Sequence, residues 1–465
     1  MMKKLYPLFC VTLICILLPL SIEAVTPSQV LDQTLQQAAN QGLADNQSVG
    51  ASAVELSVLL PGEDNPRDFV AGNQLKGFGI HPATTNMMVQ YGSITKEYTT
   101  TLILHLVDQG YFSLDTPIGH LSVLQPEFES GEWPARWKTV TIAELLNMTS
   151  GIPENVSNTD IVFNPFVEYT FNQMIDFASN YENNVKDHPS CAQEKDITNG
   201  CFKPGTEYFY SNTNYMIAGL IVQAYYDQWK GSEFTFGEIM DIAILKPVLG
   251  DQVAPTCLAG PGHVNALCYS TAPLPDNVLV NMIHGYYNNG PDGPYLLPDM
   301  DVSRTNLSWG NAAGALGGTT DGLARLTRAL FQNEFDSAPR LTSTQYMVEE
   351  TSPGQPVIPV KNIEQDCLSA SGGCYGLGVQ VMSNFADDKN LGTVYAYGGQ
   401  TLGFGTVYIW IPKENVVLTF SINSSADDNI NDLVISAINA INTYLGCPPI
   451  PNTKSLSVKI SSLFH

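Results

Sequence analysis

The sequence predicts a mixed α/β (α+β) fold: an antiparallel sheet built from both chain ends and flanked by helices, plus a mostly helical lobe from the middle of the chain. Three observations carry this prediction. Strand patterns stand near each end, a long helix-bearing stretch rich in Asn, Pro and Gly separates them, and an amphipathic helix follows the last strand. Near the start, 49–58 and 68–72 read as two strands around a Pro/Asp turn. An extended segment at 87–90 follows, then a break at Gly92. Beyond it, apolar positions at Tyr98, Leu102 and Leu106 mark a helix that stops at Gly110. Near the end, 393–397, 406–411 and 416–423 read as antiparallel strands, with Pro412 to Asn415 as a turn. Ile430, Leu433, Val434, Ala437, Ile438, Ile441, Tyr444 and Leu445 then recur at helical spacing up to Gly446. The predicted organisation is a sheet lobe from 25–110 and 341–450, a helical lobe from 111–340, and a short tail at 451–465.

A chain of 465 residues with 44% hydrophobic content has enough apolar material for a large core, more naturally two associated lobes than one. Its net charge of -24 argues against nucleic acid or an anionic membrane surface as partner. Residues 1–24 read as an export signal: Lys3 and Lys4, an apolar run through Leu20, then Ser21 to Ala24 as a cleavage site. The run is too short and wrongly flanked for a membrane span, so a periplasmic or secreted location is expected, with no stable span after cleavage. The alternative is an uncleaved anchor. Neither Cys10 nor Cys15 follows the small residue that a lipoprotein signal needs.

Two of the nine cysteines lie in that signal, and six of the others fall into close pairs, Cys191 with Cys201, Cys257 with Cys268, and Cys367 with Cys374. In an exported chain these read as local disulfides, leaving Cys447 over. Reduced thiols or a metal site compete with that reading. No C-x-x-C pair and no clustered His supports metal, and no cofactor is expected.

Three short motifs occur in order: Ser93-Ile94-Thr95-Lys96, Tyr210-Ser211-Asn212 and Tyr397-Gly398-Gly399. A serine hydroxyl needs a neighbour to take its proton, and Lys96 lies three residues on, on the same helical face. Ser93 is placed at a helix N-terminus, where unpaired N–H groups favour the negative charge developing on an attacked carbonyl. Lys96 must be neutral part of the time, which requires desolvation or a nearby positive charge. An S-x-x-K alone is weak. It stands among longer phrases: Asp108 to Pro117, Thr141 to Pro153 (TIAELLNMTSGIP), Pro204 to Tyr215 (PGTEYFYSNTNY), Ala313 to Ala324 (AGALGGTTDGLA) and Tyr397 to Phe404 (YGGQTLGF). This succession closely resembles the serine β-lactamase-like, penicillin-binding-protein-like family of class C β-lactamases, D-Ala-D-Ala carboxypeptidases, D-amino-acid peptidases and related carboxylesterases. It runs from about Val49 to about Leu445.

The resemblance implies that Ser93 is the acylated nucleophile and Lys96 its base partner. It implies that Tyr210 shuttles a proton to the leaving group and helps to activate the deacylating water, and that Asn212 orients the lysine and the substrate's acyl side chain. The backbone N–H groups of Ser93 and Gln400 would form the oxyanion hole. The third motif departs from relatives that grip a substrate carboxylate with Lys or His, because Tyr397 offers only a neutral hydrogen bond, about half as strong. Tyr397, Gly398 and Gly399 look more like the carboxylesterase branch. Alternatively, Tyr397 only packs beside the cleft and an Arg elsewhere meets a carboxylate.

The implied function is an exported, metal-independent serine hydrolase. It would act through acyl-Ser93 on esters or on D-amino-acid peptides and amides, as a carboxylesterase or a D-Ala-D-Ala carboxypeptidase-like enzyme. Its partner would be a small-molecule or peptide substrate, including a cell-wall stem peptide or a β-lactam. Class C-like β-lactam hydrolysis, or a penicillin-binding or scaffolding protein with little turnover, are the alternatives.

Other chemistries lack their motifs: there is no G-x-S-x-G elbow, H-E-x-x-H, phosphate loop or dinucleotide fingerprint. His105 and His120 read as packing or surface residues. His284 reads as a structural loop residue, with substrate contact as the alternative. Tyr208, Phe209 and Tyr215 read as core, Asp321 as a helix N-cap, and Glu97 as a surface or ion-paired residue.

Overall fold

The computed structural model describes residues 25–77, 81–155, 164, 166–179, 201–231, 233–250, 267–269, 276–287, 299–367, 373–383, 391–424 and 430–450. The strands are β1 (Ala53–Leu59), β2 (Arg67–Gly72), β3 (Val89–Gln90), β4 (Leu267–Tyr269), β5 (Tyr286–Tyr287), β6 (Met300–Asp301) and β7 (Leu316–Gly318), followed by β8 (Val348–Glu349), β9 (Ile358–Pro359), β10 (Cys374–Tyr375), β11 (Gln380–Ser383), β12 (Thr393–Gln400), β13 (Gly405–Ile411) and β14 (Val416–Ile422). Five helices frame the site: α1 (Pro27–Asn46), α2 (Thr95–Asp108), α3 (Asn212–Lys230), α4 (Thr320–Phe331) and α5 (Asn431–Leu445).

Nine strands pair in the order β2-β1-β14-β13-β12-β11-β10-β8-β9, and each of these pairings is antiparallel. The two chain ends meet one strand in from an edge of the sheet, where Val54 lies opposite Ile422 and Leu59 opposite Val417. Asn423 fastens this join, its Oδ1 accepting from the N–H groups of Ser52 and Ala53 at 2.9 Å each. β1 begins later than the sequence pattern predicts, because 47–49 is a 3₁₀ turn closed by Gly50 at φ 95°. The predicted segment at 87–90 shortens to β3, which pairs with β7.

Helices cover both faces of the sheet. On one face, α1 and α5 bury Leu31, Leu35, Leu433 and Ile438 against Val54, Leu56, Val58, Val407 and Ile409. The cross-strand alternation sends Glu55, Ser57, Thr406 and Tyr408 to the other face, where α2 and α4 lie. These residues are buried too, so a polar layer sits inside the molecule. Its hydroxyls are internally bonded: Thr406 Oγ1 donates to Gln90 O (2.8 Å) and lies 2.8 Å from Ser421 Oγ, while Ser57 Oγ lies 2.7 Å from Thr320 Oγ1.

This layer corrects two expectations. Glu97 is neither at the surface nor ion-paired: it is fully buried and accepts from Tyr408 Oη (2.5 Å). The cap of α4 is Thr319, whose extended backbone (φ -82°, ψ 156°) lets its hydroxyl accept from Gly322 N–H. Asp321 lies in the first turn instead and pairs with Arg325 (2.7 Å). His105 closes the last turn of α2 with its pKa lowered, mainly by burial, and His120 is exposed. His284 Nδ1 lies 2.6 Å from Asp301 Oδ2, and its carbonyl accepts from Asn423 Nδ2 (2.7 Å), so it ties a loop to the end of β14.

Cys367 and Cys374 form a disulfide with Cα atoms 5.2 Å apart. Cys201 is disulfide-bonded as well; Cys191 and Cys257 lie outside the described residues, as do 1–24 and 451–465, and Cys447 is a half-buried free thiol. Cys268 lies in β4, with no side chain described. Among the described residues, no helix is long and apolar enough to cross a membrane, and no group of His, Cys, Asp and Glu could hold a metal ion.

Candidate active site

Ser93 sits in a 3₁₀ turn, Gly92–Ile94, that runs straight into α2. The turn needs Gly92, which has φ 55° and no room for a side chain: a Cβ there would lie 2.7 Å from Gln400 O. The strand facing it is equally constrained. A Cβ on Gly399 would lie 1.9 Å from Tyr91 O and 2.6 Å from Ser93 N. Two glycines thus press the end of β12 against the serine turn and bring the backbones of Ser93 and Gln400 side by side.

Lys96 is fully buried one turn along α2. Its Nζ donates to Ser93 Oγ (2.9 Å) and to Ala313 O (2.9 Å), and it lies 4.9 Å and 5.7 Å from the ring centroids of Tyr210 and Tyr215. Burial pulls its pKa down to about 7, against an opposing pull from the Glu154 carboxylate. Near neutral pH a substantial fraction of Lys96 is therefore the free amine that a proton acceptor must be.

Tyr210 lies just before α3, and its Oη donates to Ser93 Oγ (2.7 Å). Burial raises its pKa well above the ordinary phenol value, despite a smaller opposing effect of its hydrogen bonding with Ser93 and Tyr397. Tyr210 is thus a neutral proton donor at physiological pH. The serine oxygen lies between a proton acceptor and a proton donor.

Asn212 opens α3 and turns toward Glu154, not Lys96. Its N–H donates to Glu154 Oε2 (2.5 Å) and its Nδ2 to Oε1 (3.2 Å). Lys96 Nζ is held instead by Ser93 Oγ and Ala313 O. Tyr397 is buried within β12, with its Oη 3.3 Å from Tyr210 Oη and 2.8 Å from Tyr375 Oη. No Arg, Lys or His hydrogen-bonds Tyr210, Tyr375 or Tyr397 among the described residues. Gly398 and Gly399 pair with Val407 and Thr406 of β13, and half-buried Gln400 ends the strand.

Three further residues at this site carry no motif. Glu154 directly follows the Ser150-Gly151-Ile152-Pro153 phrase, which was the one available signal. Glu350 accepts from Gln380 Nε2 (3.0 and 3.1 Å) and acts electrostatically on Tyr208 and Tyr210, with burial raising its pKa to about 8. Tyr375 reaches the site only through strand pairing.

The chain is similar to several known proteins. The β-lactamase family model matches residues 69–438. Penicillin-binding protein 4* of Bacillus subtilis is 21% identical over 368 residues, covering 77% of this chain and 65% of that protein. Protein flp of Staphylococcus aureus is 29% identical over 154 residues, 32% of this chain and 26% of its own length. The chain therefore spans about a quarter of the length of flp and just under two thirds of the Bacillus protein. Among solved structures, D-amino acid amidase from Ochrobactrum anthropi SV3 superposes with a TM-score of 0.63 at 19% identity, covering 89% of this chain and 99% of that one. With the match spanning most of the sheet, the serine turn and all three motifs, this chain belongs to the β-lactamase family of serine hydrolases.

Proposed function

We propose that the protein is an exported hydrolase that forms an acyl-Ser93 intermediate on esters or D-amino-acid amides and peptides, and releases it to water. The carrying observation is the position of Ser93 Oγ, 2.9 Å from Lys96 Nζ and 2.7 Å from Tyr210 Oη. Ser93 attacks the acyl carbon as its proton passes to Lys96. The tetrahedral oxyanion forms beside the Ser93 and Gln400 N–H groups. The bond to the leaving group then breaks, and Tyr210 supplies the leaving group's proton. Deacylation repeats these steps with water as the nucleophile.

The neutral Tyr397 bears on the substrate class. A terminal carboxylate beside it would gain no charge-assisted contact, and the Glu154 and Glu350 side chains act electrostatically on the neighbouring Tyr210. This favours amides and esters over acids with a free carboxylate next to the scissile bond, and ranks strict D-Ala-D-Ala carboxypeptidase activity lower. The structural likeness to D-amino acid amidase supports the amide side of the reading. The Cys367–Cys374 bridge supports an oxidising compartment, periplasmic or extracellular.

The test is intact-mass analysis before and after a fluorophosphonate probe, with p-nitrophenyl ester turnover measured in parallel on the wild type and Ser93→Ala. One adduct that vanishes in the variant, together with turnover, is the expected result. Absence of both in folded wild-type protein overturns the proposal in favour of a binding or scaffolding role.

A further inference from the structure

Tyr375 lies outside every motif, yet it is 1% exposed and directly behind the site. Its position is fixed on several sides. Its neighbour Cys374 is bridged to Cys367, and Tyr375 pairs across the sheet with Gln380 and with Val348. Its ring meets Tyr397 edge-on at 5.9 Å and Tyr210 at 6.5 Å between centroids. The hydroxyls form one continuous series: Tyr375 to Tyr397 at 2.8 Å, Tyr397 to Tyr210 at 3.3 Å, Tyr210 to Ser93 at 2.7 Å, and Ser93 to Lys96 at 2.9 Å. With Lys96 as the free amine, every hydroxyl in this series can donate to the next, and the last proton points at a nitrogen lone pair. Reversing Tyr397 would leave Tyr210 without its donor.

We infer that Tyr375 and Tyr397 are positioning residues that form a hydroxyl relay behind Tyr210, holding its proton toward Ser93 and stabilising the phenolate left when that proton departs. The inference rests on the acyl-serine reading above. In acylation, the Ser93 Oγ–carbon bond forms as the serine proton moves to Lys96. The carbon–leaving group bond then breaks, its electron pair stays on the leaving atom, and that atom takes the Tyr210 proton. Tyr397 donates to the resulting phenolate and Tyr375 donates to Tyr397, which spreads the charge over a cooperative chain where relatives place a cation. The Lys96 ammonium returns a proton to Tyr210, and both groups regain their starting state.

The relay matters in proportion to how much the leaving group needs a proton. The test measures kcat and KM for p-nitrophenyl, phenyl and ethyl esters of one acid, with wild type, Tyr375→Phe, Tyr397→Phe and the double variant, each checked by thermal unfolding. The expected result is a loss in kcat/KM, which reports acylation alone, that grows along the series, from within about threefold for p-nitrophenol to about tenfold or more for ethanol. The double variant should lose no more than Tyr397→Phe alone, since both interrupt one chain. An equal loss for all three esters, additive losses or no loss overturns the relay. Should Tyr375→Phe fail to fold, the leaving-group response of Tyr397→Phe decides. Fluorophosphonate labelling of the wild type keeps the two questions apart: an unlabelled wild type sinks the acyl-serine reading, whereas a labelled wild type with a flat response in the variants sinks only the relay.

Discussion

Lys96 and Glu97 are adjacent in α2 and equally buried, yet they face different halves of the molecule. Burial moves both toward neutrality, bringing the Lys96 pKa down to about 7 and the Glu97 pKa up to about 8. On the cleft side the neutral amine meets Ser93 and becomes a usable base. On the sheet side the acid meets Tyr408 and secures the helix to β13. Desolvation supplies the same perturbation in both places, and what lies opposite decides whether it becomes chemistry or anchoring.

The largest expected effect separates the two at once. Lys96→Ala should lower kcat/KM about a thousandfold or more while the protein stays folded, whereas Glu97→Gln should keep activity within about tenfold. Steady-state ester kinetics on folded variants check this, and comparable losses in both would break the division. Next in size is the pH response. Because the base must be deprotonated, kcat/KM should rise with pH through about 7 and then level off, and a pH–rate profile with no inflection there would exclude Lys96 as the titrating group.

Stability should respond to the two residues with opposite sign. An unfolded chain releases the Glu97 proton near 4.5 and the folded chain near 8, so this group makes stability fall as pH rises across that window. Lys96 is released near 7 when folded and near 10.5 when unfolded, so it makes stability rise with pH across that higher window. Melting temperatures of wild type, Glu97→Gln and Lys96→Met from pH 5 to pH 10, on the order of one reading per unit, should show each slope reduced only in its own variant. The smallest effect is that of Tyr408→Phe. Loss of its bond to Glu97 should cost about 1–3 kcal/mol in chemical denaturation, with the ester-hydrolysis pH profile unmoved.

The same pair shows how far the sequence could be read. Ser93, Lys96 and Tyr210 were legible because short motifs encode local geometry and their order along the chain matches a family. Glu97 was misread as a surface residue because a charge within a helical pattern ordinarily marks the solvent face, and α2 is buried on nearly every side. The terminal strands and α5 were visible in their periodicity. The two-residue strands β8, β9 and β10 were not, since segments that short have no period to detect. Tyr375 was hidden for that reason, and its contact with Tyr397 is a property of strand pairing that no local pattern records. Asp321 lost the cap to Thr319 because several capping residues stand in a row and only backbone geometry separates them.

The pairing of β1 with β14 also sets a schedule for the chain. The serine turn is synthesised early, but the strand that presses on it and the β13 and β14 strands beyond come about 300 residues later or more; Thr406 of β13 and Gln90, just before the serine turn, are 316 residues apart in sequence. A chain interrupted between α2 and β12 holds the nucleophile without the strand that completes its site. Contacts of such sequence separation form slowly. Until β12 is in place, Ser93 lacks the Gln400 backbone beside it, so the site is assembled by the last strands to leave the ribosome and not by the segment that carries its nucleophile.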